Sequence, residues 1–167
     1  MEKIDFFSPP DDCCVCSSAE RFYLYDDEGA SRVYLNLQRL RNDCTPVENK
    51  SGEAVVLRPV DHVLYPESEG PVHCDAFLHD VSRSCLCFVE MKCVRAGWKT
   101  EPVAQLEQTV LDFLASHKNA ALLARRKRAV AANSKHPNFQ FSEAVRIRNF
   151  HAKTGFTLYF ENCVRIG

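Results

Sequence analysis

A mixed α/β domain, a β-sheet flanked by helices, is the fold class that the sequence predicts, on three observations. Two β-like runs, 72–78 and 85–94, are separated by the short polar connection His79-Asp80-Val81-Ser82-Arg83-Ser84, a length suited to a hairpin. The segment 101–117 then repeats Val103, Leu106, Val110, Phe113 and Leu114 at helical spacing. Strand-like runs at 127–133 and 156–160 follow that helix. Hairpin, helix, strand is the order of a layered α/β domain.

At 167 residues the chain reads as one domain, 1–167, with an N-terminal elaboration at 1–53, a core at 54–135 and a C-terminal helix and strand at 136–167. Residues 1–20, with Pro9-Pro10-Asp11-Asp12, form a turn-rich entry of little periodicity. Arg21 to Tyr25 reads as a short strand ended by Asp26-Asp27-Glu28-Gly29. The segment 31–40 fits either period, because Val33, Leu35 and Leu37 alternate while Val33, Leu37 and Leu40 also make a helical stripe. Residues 42–52 are polar and loop-like, broken by Pro46 and Gly52. A strand over 54–64 is interrupted at Pro59, which predicts an edge or bent position. Residues 66–71 read as a turn. In the helix at 101–117, Pro102 suits the first turn and Thr100 the cap, and 120–124 either extends it or begins another. A second helix over 142–153 would be capped by Ser142, carry Val145 and Phe150 inside, and end at Gly155.

Hydrophobic content of 46% and charged content of 26% are those of an ordinary globular protein. The first residues, Met1-Glu2-Lys3-Ile4-Asp5, lack the pattern of a secretory signal, and no run reaches the ~18 apolar residues of a membrane span, so a cytoplasmic protein without membrane contact is expected. Four of the nine cysteines fall in strand-like runs (Cys74, Cys85, Cys87, Cys93), as buried reduced thiols do. Only Cys13, Cys14 and Cys16 cluster, and no second pair at zinc spacing follows them. The net charge of -1 conceals an asymmetry. Fifteen acidic and seven basic residues lie between Met1 and Asp75, whereas nine basic residues and Glu143 alone lie between Phe113 and Lys153. This split suits a basic face for an anionic partner, or two halves that neutralise each other in the fold.

The chemistry concentrates between His73 and Cys93. Alternation along the second strand puts Leu86, Phe88, Glu90 and Lys92 on one face and Cys85, Cys87, Val89, Met91 and Cys93 on the other, so a carboxylate and an amine stand together at the end of a half-buried apolar strand. If the two strands pair antiparallel, Asp75 lies beside Glu90. A hard cation such as Mg²⁺ or Mn²⁺ takes oxygen ligands and keeps several waters. Asp75, Glu90 and the backbone carbonyl of Met91 would supply a partial shell, with Lys92 set to orient a water or to stabilise charge on a phosphate.

Asp75, fourteen residues, then Glu90-Met91-Lys92 resembles the PD-(D/E)xK nuclease superfamily. The resemblance covers roughly residues 54–135 and implies a restriction-endonuclease-like core. It implies metal binding by Asp75 and Glu90, catalysis by Lys92, and an accessory role for Gln105 on the following helix. It further implies a metal-dependent nuclease hydrolysing nucleic-acid phosphodiester bonds, with nucleic acid as partner, DNA before RNA, and a homodimer allowed. Two departures stand out: Cys74 replaces the proline common before the Asp, and the family's upstream helical acid has only Glu20, Glu48 or Glu53 as candidates.

Each assignment has a competitor. Asp75, Glu90 and Lys92 also fit a cross-strand ion pair, worth about 0.2–1 kcal/mol if exposed. On pattern alone Gln105 is a solvated helix residue, His73 and His79 are surface residues, Arg125-Arg126-Lys127-Arg128 is a solvated run, and Trp98 is a core or lid residue. A nuclease-fold module without catalysis, binding nucleic acid or protein, and a metal or redox protein built on Cys13, Cys14 and Cys16 complete the alternatives.

Overall fold

The computed structural model describes residues 3–8, 14–27, 32–65, 73–93, 97, 99–135 and 143–167. Within them are ten strands and two helices in the order β1 (Val15–Ser17), β2 (Arg21–Tyr25), β3 (Tyr34–Asn36), β4 (Thr45–Asn49), β5 (Val55–Pro59), β6 (Ala76–Asp80), β7 (Cys85–Lys92), α1 (Thr100–Leu123), β8 (Arg126–Asn133), α2 (Ala144–Thr154), β9 (Thr157–Glu161) and β10 (Val164–Ile166). Cys13, Trp98, Ser142 and the turn at 66–71 lie outside the described residues.

One sheet has six strands in the order β1-β5-β6-β7-β8-β9. Its first four pair antiparallel. Through α1 the chain then crosses over to lay β8 parallel to β7, and through α2 it lays β9 parallel to β8. A second sheet, β10-β4-β2-β3, covers the face of the first that the helices leave. The result is a mixed α/β fold with two sheets and two helices.

This layering explains why β6 is apolar over 76–78 and β7 over 85–89. Phe77, Leu86 and Phe88 face α1, where Leu106, Val110 and Phe113 meet them. Leu78, Cys85, Cys87 and Val89 point the other way, against Phe22, Leu24, Val47, Val164 and Ile166 of the second sheet. Both faces of β7 are therefore buried over its first six residues, whereas alternation of acid and apolar residues at its end had indicated a half-buried strand. Strands covered on both sides read as continuous apolar runs.

Residues 42–52, expected as a loop, contain β4, in which Thr45, Val47 and Asn49 turn inward. β1 and β10 were likewise not expected. β5 is not an edge strand: Val55, Val56 and Leu57 pair with β1, and Pro59 comes after that pairing ends, where the sheet asks no N–H of it on that side. α1 continues to Leu123 with a break at His117 (φ -130°, ψ 38°), whose Nε2 accepts the Phe6 backbone N–H at 3.0 Å. Lys99, not Thr100, is its cap residue, with no side-chain cap bond. α2 ends where Gly155 takes φ 74° and returns its N–H to the His151 carbonyl at 2.8 Å. Val145, expected inside α2, is 59% exposed, while Phe150 is buried.

Candidate functional site at the end of the central hairpin

The pairing Ala76↔Val89, continued one step, sets Asp75 opposite Glu90. Phe77 and Phe88, cross-strand partners two residues further in, stack on the α1 side at 4.6 Å between ring centroids. By alternation Asp75 and Glu90 face that side too.

Asp75 is buried, and its Oδ2 accepts the Met91 backbone N–H at 2.7 Å. Glu90 is 2% exposed. Its Oε1 lies 3.1 Å from Lys92 Nζ, and its Oε2 is buried without a hydrogen-bond partner. Lys92 Nζ also lies 3.7 Å from Glu101 Oε1 at the start of α1. Lys92 therefore pairs along its own strand with Glu90 and with the helix, not across the hairpin.

Burial, reinforced by the Asp26 carboxylate, pushes the Asp75 carboxyl up to about 7 against the Met91 N–H and Lys92. Burial and then Asp75 raise the Glu90 carboxyl well above the ordinary range, with Lys92 opposing. Burial is the largest influence on Lys92 and lowers it, but Glu90, Glu101 and Asp75 together outweigh burial and hold the amine more firmly protonated. The two acids thus compete for charge, and one ammonium compensates them only in part.

Gln105, expected to be solvated on pattern alone, is 5% exposed, and its Oε1 has no partner. It lines an open groove with Glu101, Gln108, Leu111 and, from α2, Arg146. Glu90 Oε2 and Gln105 Oε1 are each buried with acceptor capacity unused, but the groove that Gln105 lines includes none of Asp75, Glu90 and Lys92. An unmet buried acceptor costs about 1–3 kcal/mol, which a cation, a water or a substrate donor would recover.

Sequence reasoning missed Asp26. It follows β2 in the second sheet, yet its charge acts on both Asp75 and Glu90, and its own carboxyl is raised by burial and by Asp61. The sequence candidates for an upstream acid lie elsewhere. Glu48 pairs with Arg21 at 2.6 Å and Arg165 at 3.7 Å, Glu53 accepts the Ser82 N–H at 3.1 Å, and Glu20 is exposed. Among the described residues no helix precedes β5.

His73 and His79 are buried, not on the surface. His73 stacks on Tyr65 and lies 3.3 Å from Asp112. His79 Nε2 accepts Arg58 Nε–H at 3.0 Å, and burial lowers this imidazole to about 4. Cys74, Cys85 and Cys87 are buried thiols, whereas Cys93 is exposed just past β7, where the sheet no longer covers it. Arg126, Lys127 and Arg128 belong to β8, with Arg128 laid over Tyr159 and donating to the Arg165 carbonyl at 2.7 Å. Among the C-terminal cations, Lys153 pairs with Glu107 and Arg146 with Glu143.

Among the described residues, no three His, Cys, Asp or Glu side chains converge to hold a metal ion. Asp75 and Glu90 fit Mg²⁺ or Mn²⁺ nonetheless, since Mg²⁺ is commonly held by one or two carboxylates and keeps its waters. A buried carboxylate oxygen without a partner, beside a second buried acid, is a donor set a hard cation satisfies. No helix among the described residues is long and apolar enough to cross a membrane. No family model matches the chain, and comparison with curated proteins and with solved structures gives no match either.

Proposed function

We propose that the chain is a metal-dependent nuclease that hydrolyses nucleic-acid phosphodiester bonds, DNA in preference to RNA, on a restriction-endonuclease-like core. The observation that carries this reading is the buried Asp75–Glu90 pair with Lys92 at 3.1 Å from Glu90 and an unused Glu90 oxygen. The antiparallel hairpin of β6 and β7, followed by α1 and the parallel strand β8, supports the resemblance drawn from the motif.

In this reading Asp75, Glu90 and the Met91 carbonyl would hold Mg²⁺ or Mn²⁺. The ion supplies a water of lowered pKa and charge stabilisation at the phosphate. Lys92, held cationic by Glu90, stabilises the charge that grows on the non-bridging phosphoryl oxygens. The Met91 N–H fixes the Asp75 carboxyl through Oδ2. Gln105 offers its unpaired Oε1 to orient a water proton. α1 closes the site from the helix side and keeps bulk water from the two acids.

The test is cleavage of single- and double-stranded DNA and RNA by the purified chain in Mg²⁺ or Mn²⁺. Glu90→Ala and Lys92→Ala should each reduce the rate by roughly 100-fold or more. Cleavage that persists unchanged in both variants sinks the proposal.

One observation favours a second reading, a nuclease-fold binding module without catalysis. Asp75 Oδ2 and Glu90 Oε1 already have partners within the chain, in Met91 and Lys92. That reading predicts binding without cleavage, with affinity falling steeply as salt rises.

A further inference from the structure

The segment that delivers Asp75 to the sheet is tied residue by residue to the middle of α1. The His73 imidazole lies with Nε2 3.3 Å from Asp112 Oδ2 and stacks on Tyr65, with 3.3 Å between ring centroids. Tyr65 in turn donates its hydroxyl to the same Asp112 oxygen at 2.8 Å. Gln108, one turn back on α1, donates to Asp112 Oδ1 at 3.0 Å. The Cys74 N–H donates to Thr109 Oγ1 at 2.9 Å, and that hydroxyl donates to the Gln105 carbonyl at 2.9 Å. The Asp75 carbonyl then accepts the Val60 N–H at 2.9 Å.

Three consecutive residues are therefore anchored by atoms outside their own hairpin, two of them by α1. Thr109 is fully buried and His73 nearly so; His73 Nδ1 has no hydrogen-bond partner, so the restraint on this segment comes from the His73 Nε2–Asp112, Tyr65–Asp112 and Cys74–Thr109 contacts. Thr109, one turn beyond Gln105 on α1, thus joins the Gln105 carbonyl to the Cys74 N–H that precedes Asp75.

We propose that Thr109 and Asp112 form a latch that positions the Asp75 carboxyl, acting through Cys74 and through the stacked Tyr65–His73 pair. Asp112 is a positioning residue here, since nothing places it on a substrate. The functional use of the latch rests on the hydrolytic reading, but its geometry does not.

The Met91 amide, which donates to Asp75 Oδ2, reports on that geometry without metal or substrate. Its NMR shift and hydrogen exchange would be followed in the intact chain, in Asp112→Asn and in Thr109→Val, with Lys153→Ala at the exposed Lys153–Glu107 pair as control. In Asp112→Asn, Met91 exchange should rise roughly tenfold while core α1 amides such as Leu106 keep their protection. Mn²⁺-dependent cleavage by the same variant should lose kcat with KM little changed. An unchanged Met91 amide, or a uniform rise in exchange across the core, overturns the latch. If Thr109→Val does not fold, Asp112→Asn, at a partly exposed site, decides alone. Absence of cleavage by the unmodified chain would count against the hydrolytic reading, and the Met91 amide would still decide the latch.

Discussion

Asp75 and Glu90 are buried carboxyls whose affinity for protons is raised by the folded state, and this sets a pH dependence. A folded-state pKa of about 7 for Asp75, above the ordinary value of 3.8, means that the native protein holds a proton that the unfolded chain has released between those limits. Stability from this group is fully present below the unfolded value and is lost as pH rises through 7. The metal-free protein should therefore unfold at lower urea concentration at pH 8 than at pH 5.5. Asp75→Asn should flatten that slope, and Mg²⁺ should stabilise the protein more at pH 8 than at pH 5.5, because the cation competes with the proton. Denaturation midpoints across this range, with and without Mg²⁺, measure all three. The motif residues Asp75, Glu90 and Lys92 were legible because alternation fixes which side chains share a face. Asp26 was not, because in Asp26-Asp27-Glu28 it looks like any acid that ends a strand, and only the packing of the second sheet brings its charge to the site. The burial of His73 was equally hidden, since its partner Asp112 is 39 residues away.

Among the elements, the hairpin β6–β7, the helix α1 and the strand β8 were readable because each is long enough for its period to repeat. β1, β4 and β10 were not. They have three to five residues, and in β4 Pro46 and Glu48 alternate with Val47, so the run looks polar unless its inward face is known. The core between α1 and the sheet is built on Phe88, which is fully buried and meets Phe6, Phe77, Phe113 and Phe156. Phe88→Ala should cost about 3–5 kcal/mol by chemical denaturation. Gly155, at φ 74°, ends α2 in the left-handed region. A side chain there meets nothing within 4 Å, so Gly155→Ala should cost only the conformational strain of about 1–2 kcal/mol.

For the molecule as a whole, the second sheet reaches the site through Asp26 and covers the face of β7 opposite α1. β10 closes that sheet by pairing parallel with β4, and Val164 and Ile166 are buried there. Truncation after Glu161 should leave β4 paired with β2 alone, uncover Val47 and Leu78, and lower the thermal midpoint, with dye binding to the uncovered apolar surface as the second readout. The charge asymmetry was legible in the sequence, but its spatial use was not. Several of the C-terminal cations are taken up by nearby acids, as in Lys153–Glu107 and Arg146–Glu143. The central claim is that Asp75 and Glu90 form a site for a hard divalent cation, and titration of Mn²⁺ followed by the electron paramagnetic resonance of the free ion tests it most directly. One Mn²⁺ per chain should bind to the unmodified protein, tighter at pH 8 than at pH 5.5, and binding should be lost in Glu90→Gln. Equal binding by Glu90→Gln, or none by the unmodified chain at millimolar Mn²⁺, would contradict the account.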